Sequence, residues 1–535
     1  MYKRLLALGL LLAFSAVFLL SCGSSSKPTP SGPAPLTITI GDVPLCGLLS
    51  FRTLVNGLTL VPQGGSGVEV LTANQTVPLD FSALRDASTI LSVTSIQPGT
   101  YTEATITLIA PAMSLYDPTA NPPVVPITPT FSSESITFNI NPALVVPACP
   151  VNSTTACPGS VLQIDFNLAQ SIPLTAQGDI NTTNSSGTST ITVTPVITGA
   201  GLTASGSQGF GVMDDIKGYI LSVNNTATSS GNTQLIGSID VQTLPGLETT
   251  AALQGAGQEI AVYLPSAKDL IGVPPILDQL TTGNFVEVNG YIDSLGNFIA
   301  NSVMVEDQED IANFTSSFEG YVLSVAKDAN GNPTQFQMTV TDEYPNTETG
   351  AVTGNPVPFD TPPLIVNVSS STGWHLSTPG INFGNLTATP ANLAVGQKII
   401  VHGTYVPPPT ASAGGAAVST TLAANNVYFP IQTVSGNYVS LLAAGSDNLT
   451  GGFVLSPCAS LYQGRPIYVI TNGLSQSGQL NLTQFVNLNG LASLTPAPQL
   501  LARGILIFDQ AGGPLNGISI PPNSYVLLAD KVHQL

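Results

Sequence analysis

Few side chains in this sequence are placed to do chemistry, and their spacing separates the options. Glu306, Asp307, Glu309 and Asp310 form the densest run of carboxylates, with Asp214 and Asp215 a smaller group upstream. A hard cation such as Ca²⁺ takes about six to eight oxygen ligands, and one loop wraps it only when carboxylates fall at alternate positions. These are adjacent, so the expected state is a solvated acidic linker kept extended by repulsion, with a calcium site as the competing role. Asp328-Ala329-Asn330-Gly331-Asn332-Pro333 does alternate, but glycine stands fourth and proline sixth, which is the composition of a hairpin turn.

A nucleophilic serine or cysteine needs a base, and the chain holds only His375, His402 and His533. His402 is expected on the surface of a strand rather than as a base. Trp374, the single tryptophan, follows Ser369-Ser370-Ser371-Thr372-Gly373, where it can stack on a sugar or pack over a sheet edge. There is no nucleophile elbow, phosphate-binding glycine loop or His/Cys/Asp metal spacing. Paired carboxylates for glycoside hydrolysis can come from distant parts of a chain. A carbohydrate-active or other hydrolytic role therefore stands as the alternative to a non-catalytic one, and a calcium-rigidified surface adhesin as a second.

Of the five cysteines, Cys22 has the most telling surroundings. Lys3 and Arg4 precede the apolar stretch Leu5 to Leu20, too short to span a bilayer comfortably and ordered like a secretory leader. The closing Leu19-Leu20-Ser21-Cys22 resembles the lipobox of bacterial lipoproteins. That resemblance implies a signal peptide over 1–21 and a Cys22 thiol that receives a diacylglycerol and becomes the acylated N-terminus. Gly23 in place of Asp implies release from the inner membrane to the outer one. Residues 22–35, rich in Ser, Pro and Gly, read as a disordered tether. In an oxidising compartment Cys149 and Cys157, which flank a bendable loop, are expected to form a local disulfide. Cys46 and Cys458 have no local partner and read as buried thiols or as a pair between domains.

Charge narrows the partners. Asp and Glu number 31 against 12 Lys and Arg, two of which sit in the leader, so the exported part is strongly acidic. Affinity for nucleic acid comes mainly from Lys and Arg, which excludes that partner class and leaves an envelope glycan or a protein. Only 8% of residues are charged, against about 25% in an ordinary soluble domain, while 43% are hydrophobic, enough to build cores.

The elements that must position these residues are strands. From Leu36 onward, runs rich in Val, Ile, Thr and Leu are broken by Gly, Pro, Asn and Asp about every ten residues, an all-β signature. Six runs, Leu36–Ile40, Leu54–Val61, Thr102–Ile109, Ser135–Ile140, Val161–Leu168 and Thr190–Ile197, make a β-sandwich over 36–199, with a single capped turn at Asp80 to Arg85 and an exposed proline-rich loop from Met113 to Pro129. Gly41-Asp42-Val43-Pro44, Pro98-Gly99-Thr100-Tyr101, Leu162 to Asn167 with Ser171, and Thr194-Pro195-Val196-Ile197 resemble an uncharacterised domain family of exported bacterial lipoproteins. Each piece also reads structurally: Asp-x-Pro and Pro-Gly make turns, and a tyrosine after a turn caps a sheet corner.

Past a Gly/Ser linker at 200–211 the chain repeats. Ile216-Lys217-Gly218-Tyr219-Ile220-Leu221-Ser222 returns as Phe318-Glu319-Gly320-Tyr321-Val322-Leu323-Ser324 and, more loosely, as Val434-Ser435-Gly436-Asn437-Tyr438-Val439-Ser440. A second signature centres on Gly290, Gly403 and Gly504. Three domains follow, at 212–310, 315–430 and 432–535. Three strands, a helical turn at Pro274 to Leu280 or Thr389 to Leu393, and two strands define an OB-like small barrel, and the copies resemble an uncharacterised exported repeat family of that fold. The third copy shows no clear helical turn. The fold class is all-β, a sandwich followed by three tandem OB-like barrels, and repetition of this kind can serve to extend a chain from the membrane.

Overall fold

The computed structural model describes most of residues 31–534, leaving out 1–30, 151–158, 181–190, 203–209, 244–258, 266–279, 306–315, 345–362, 377–386, 407–419, 474–482 and some shorter gaps. The protein is all-β: a sandwich followed by three small barrels.

In the sandwich one sheet contains Ser88–Ile96, Ala34–Val43, Ser160–Asn167 and Ile197–Leu202, and the other contains Ser135–Val146, Gly99–Tyr116, Leu48–Pro62 and Val68–Leu71. They join at one edge through the Ile140–Gly199 pair. Alternation sends Leu36, Ile38 and Ile40 inward from one strand and Ile164 and Phe166 from its neighbour, to meet Phe51, Val55, Ile106 and Leu108 of the facing sheet. The turn after Asp80 forms as a 3₁₀ turn, Phe81–Ala83, capped by the Asp80 carboxylate accepting from the Ser82 amide at 2.9 Å.

Two expectations here are corrected. The stretch from Met113 to Pro129 is no exposed loop: Val124–Ile127 pairs with Met113–Tyr116 as an edge strand and buries Val124 and Ile127. Edge strands tolerate proline, and the apolar alternation outweighs it. The closing strand is Ile197–Leu202, with only Thr192–Val193 ordered as strand before it, because Pro195 has no N–H to give to a ladder.

The three barrels share five strands in the same connectivity, each with one short further strand at the sheet's edge. Barrel 1 uses Phe210–Asn224, Thr233–Thr243, Glu259–Pro265, Phe285–Ile292 and Phe298–Val305; barrel 2 uses Ser316–Lys327, Pro333–Tyr344, Leu364–Asn367, Lys398–Val406 and Thr421–Phe429; barrel 3 uses Ile431–Ala444, Gly451–Pro457, Ile467–Thr471, Gln499–Asp509 and Ser524–Gln534. The first strand pairs with the second and fourth. The third and fifth pair in parallel and close the barrel, at Val262–Phe298, Ile365–Thr421 and Ile467–Tyr525. This is the OB order of strands.

The repeat glycines permit that closure. A Cβ on Gly320 would collide with the Thr339 carbonyl, and one on Gly403 with the Ala423 carbonyl; the equivalent glycines of the other copies meet the facing strand in the same way. Register slips beside Gly290, Gly403 and Gly504, where the fifth strand carries one extra residue, so each fifth strand bulges opposite the glycine of the fourth as the pair coils round the barrel.

The helical turn of barrel 2 is Pro390–Asn392, with the Thr389 amide and hydroxyl both donating to Asn392 Oδ1. Barrel 3, contrary to the sequence reading, has one too: Leu491–Leu494, whose two leucines are buried in its core. Its cap is remote, Asn448 Oδ1 accepting from the Ala492 amide, so no local capping residue announces it. The corresponding stretch of barrel 1, Pro274 to Gln279, lies outside the described residues.

Candidate functional site

Among the described residues, several groups of charged and polar side chains lie at seams between domains. Between barrels 1 and 2, Glu319 projects outward from the first strand of barrel 2 and receives Lys398 at 2.6 Å on one carboxylate oxygen and Lys217 of barrel 1 at 3.4 Å on the other. The Glu319 side chain is 4% exposed. A buried carboxylate is tolerated only when both oxygens are satisfied, and two ammonium groups do so here.

On the same outer face Ile400 is covered by Tyr219 of barrel 1 and by Tyr428. Burial raises the Tyr219 hydroxyl to about 12, so it stays protonated. His402 and His375 each lie 4.8 Å from the Tyr428 ring, and His375 Nε2 is 3.1 Å from Asn426 Oδ1. His402 is 3% exposed, which corrects the expectation of a surface residue. Residues 400 and 402 are two apart on a strand and share a face, and barrel 1 covers that face. The cluster is built by stacking and charge pairing, and among the described residues no three His, Cys, Asp or Glu side chains gather to hold a metal.

Barrels 2 and 3 are joined by hydrogen bonds to main-chain groups. Gln397, wholly buried, accepts from the Ala394 amide and donates to the Leu506 carbonyl of barrel 3 at 3.0 Å. Asn392 donates to the Phe508 carbonyl, and Gln432 of barrel 3 accepts from the Lys398 amide at 2.7 Å. Tyr525, pushed up to about 12 by burial, donates to the Val395 carbonyl at 2.6 Å. A third seam is apolar: Leu49, Tyr116 and Val124 of the sandwich pack with Tyr321, Leu323 and Val395 of barrel 2 and Leu461 of barrel 3.

In the sandwich, three of the four motif pieces meet at one end. Asp42 accepts from the Leu168 amide at 3.2 Å, Asn167 caps the short helix Leu168–Ser171, and Ser171 donates to the Asn167 carbonyl and accepts from the Val196 amide. Tyr101, in the fourth piece, is buried and donates to the Gln97 carbonyl at 2.9 Å, a capped corner. These bonds go to backbone groups, which gives the motif a structural use.

Of the singled-out residues, Cys22, Cys157, Cys46 and the run Glu306, Asp307, Glu309 and Asp310 lie outside the described residues. Cys149 is disulfide-bonded, and so is Cys458, which is therefore no free buried thiol. Trp374 sits on the short strand Gly373–Leu376, half-buried, its ring stacked on Phe429 at 6.2 Å. Asp328 closes the hairpin between the first two strands of barrel 2, accepting from the Asn330 and Asn332 amides, with Gly331 at φ +85°. Sequence reasoning missed the Lys217–Glu319–Lys398 group. Its signal was present: the position before the repeat glycine carries Lys in the first copy and Glu in the second.

No family model matches this chain, and no curated protein matches it. No helix among the described residues is long and apolar enough to cross a membrane.

Proposed function

We propose that the chain is an exported cell-envelope protein, held at the outer membrane by lipid on Cys22, with a non-catalytic binding or scaffolding role. The basic, apolar, Leu-Leu-Ser-Cys order of its start supports the anchor. The disulfides of Cys149 and Cys458 support export, since such bonds persist in oxidising compartments and are rare in the cytosol. The observation that carries the non-catalytic role is the destination of the gathered polar groups: Glu319, Lys398, Gln397, Gln432 and Tyr525 fasten domains to one another.

The ligand class follows from the outer face of the second and third strands, where barrels of this order commonly take oligomers. In barrel 2 that face presents Gln335, Gln337 and Asn367, with Gln335 donating to Asn367 at 2.9 Å and Ser324 beside Gln337. Neutral amides and hydroxyls suit an envelope glycan. Fatty-acid probes should label the native chain and not Cys22→Ser, and purified envelope polysaccharide should sediment with the full chain, several-fold less with Gln335→Ala/Asn367→Ala. Turnover of such a polysaccharide would overturn the non-catalytic reading, and absence of co-sedimentation would move the ligand class to proteins.

A further inference from the structure

Cys458 is disulfide-bonded, and every other cysteine of the chain, Cys22, Cys46, Cys149 and Cys157, precedes residue 160. Whichever takes it, the bond runs from barrel 3 back across the two other barrels to the N-terminal part of the chain. Placement within the sandwich selects the partner. Cys149 lies beside Gly32, ahead of the strand Ala34–Val43, and packs on the sandwich core. Ser160 pairs with Leu36 at the same end, so Cys157, three residues earlier, is within about 10 Å of that end by chain reach. The strand then runs ten residues, about 30 Å, to Val43 at the far end.

Cys46 follows Val43 and precedes Leu49 by three residues. Leu49 packs in the seam that holds Leu461, and Leu461 is three residues past Cys458. Two further contacts bring barrel 3 to this end: Tyr116 of the sandwich shares that seam and hydrogen-bonds the Gln463 side chain. Disulfide-bonded residues have Cα atoms no more than about 7 Å apart. Cys149 is at the wrong end to meet that limit with Cys458, as is Ser160, three residues from Cys157, whereas Leu48 and Leu49, two and three residues from Cys46, are at the right one.

We propose that Cys458 is bonded to Cys46, and that this bond clasps the last barrel to the first domain, making the four domains a covalently closed ring. Cys149 is then paired with Cys157. Closing the clasp forms one S–S bond and removes two protons and two electrons from the thiols of Cys46 and Cys458. Thiol–disulfide exchange with an oxidised dithiol protein of the exported compartment accepts them, leaving that protein as the dithiol. The ring gives the apolar seam a role beyond packing, since Leu49, Leu323 and Leu461 hold the two cysteine-bearing segments in register while the bond forms.

The test is peptide mapping by mass spectrometry of the full chain, purified from the envelope with free thiols blocked and kept unreduced. A crosslinked pair containing residues 46 and 458 is expected, together with a 149–157 pair. Any crosslink joining 458 to 149 or 157, or a blocked free thiol at 46 or 458, overturns the proposal. Thiol labelling of two variants gives a second readout: Cys46→Ser should expose one reactive thiol, at Cys458, and Cys157→Ser one, at Cys149. Labelling of Cys149 in the Cys46→Ser chain would overturn it equally.

Discussion

At the scale of single residues, Glu319 has the largest consequence, because one buried carboxylate balances lysines from two domains. Breaking a buried pair by removing one partner costs about 3–5 kcal/mol, since the charge left behind stays desolvated. Glu319→Gln is therefore expected to lower stability by roughly that amount in urea unfolding of the full chain. The double change Glu319→Gln/Lys398→Met should recover part of the loss, which a surface pair would not do. Asp165, on a sandwich strand, carries the opposite kind of cost. Burial lifts its carboxyl from 3.8 to about 6, so the folded state holds the proton more tightly than the unfolded chain. The protonated form stabilises the fold fully below pH 3.8, and that contribution is lost as pH rises through about 6. Asp165→Asn is expected to stabilise at pH 8, by on the order of 2 kcal/mol given its partial exposure, and to leave the unfolding midpoint unchanged near pH 3.5. An equal gain at both values would mean that the carboxyl is not the titrating group.

At the scale of elements, what could be read from the sequence was whatever the chain encodes locally. Leu36, Ile38 and Ile40 alternate inward as their run of the sequence indicates, and the Asp80 and Asp328 turns form because each carboxylate caps amides within four residues of itself. The repeat glycines marked the barrels for a similar reason: a strand that coils tightly needs a residue without Cβ where its neighbour's carbonyl approaches. The third helical turn was hidden because its cap comes from Asn448, far off in sequence. The edge strand Val124–Ile127 was hidden by prolines that an edge accepts. The candidate site was hardest to read. Lys217, Glu319 and Lys398 are polar residues at outward positions, and a single-domain pattern assigns such positions to solvent; contact between domains buries Lys217 and Glu319 and partly covers Lys398.

At the scale of the molecule, the tandem barrels do not form an extended spacer, because barrel 3 returns to the sandwich through Leu461, Leu49 and Val124 while staying fixed to barrel 2. Cooperativity should therefore run through the seams, and removing barrel 3 tests it. In a chain ending at residue 430, Gln397 loses the Leu506 carbonyl, Asn392 loses the Phe508 carbonyl, the Lys398 amide loses Gln432 and the Val395 carbonyl loses the Tyr525 hydroxyl. Groups that were buried and satisfied must find water, at about 1–3 kcal/mol for each that stays buried without it. Leu323 and Leu49 lose Leu461 from their cluster, which leaves apolar surface of the kind that binds other chains. The truncated protein is expected to unfold at a temperature several degrees below the full chain and to bind a hydrophobic dye under native conditions. If barrel 2 instead unfolds at the same temperature with and without barrel 3, the seams are contacts between independently stable units, and Gln397 and Gln432 contribute little to holding the molecule together.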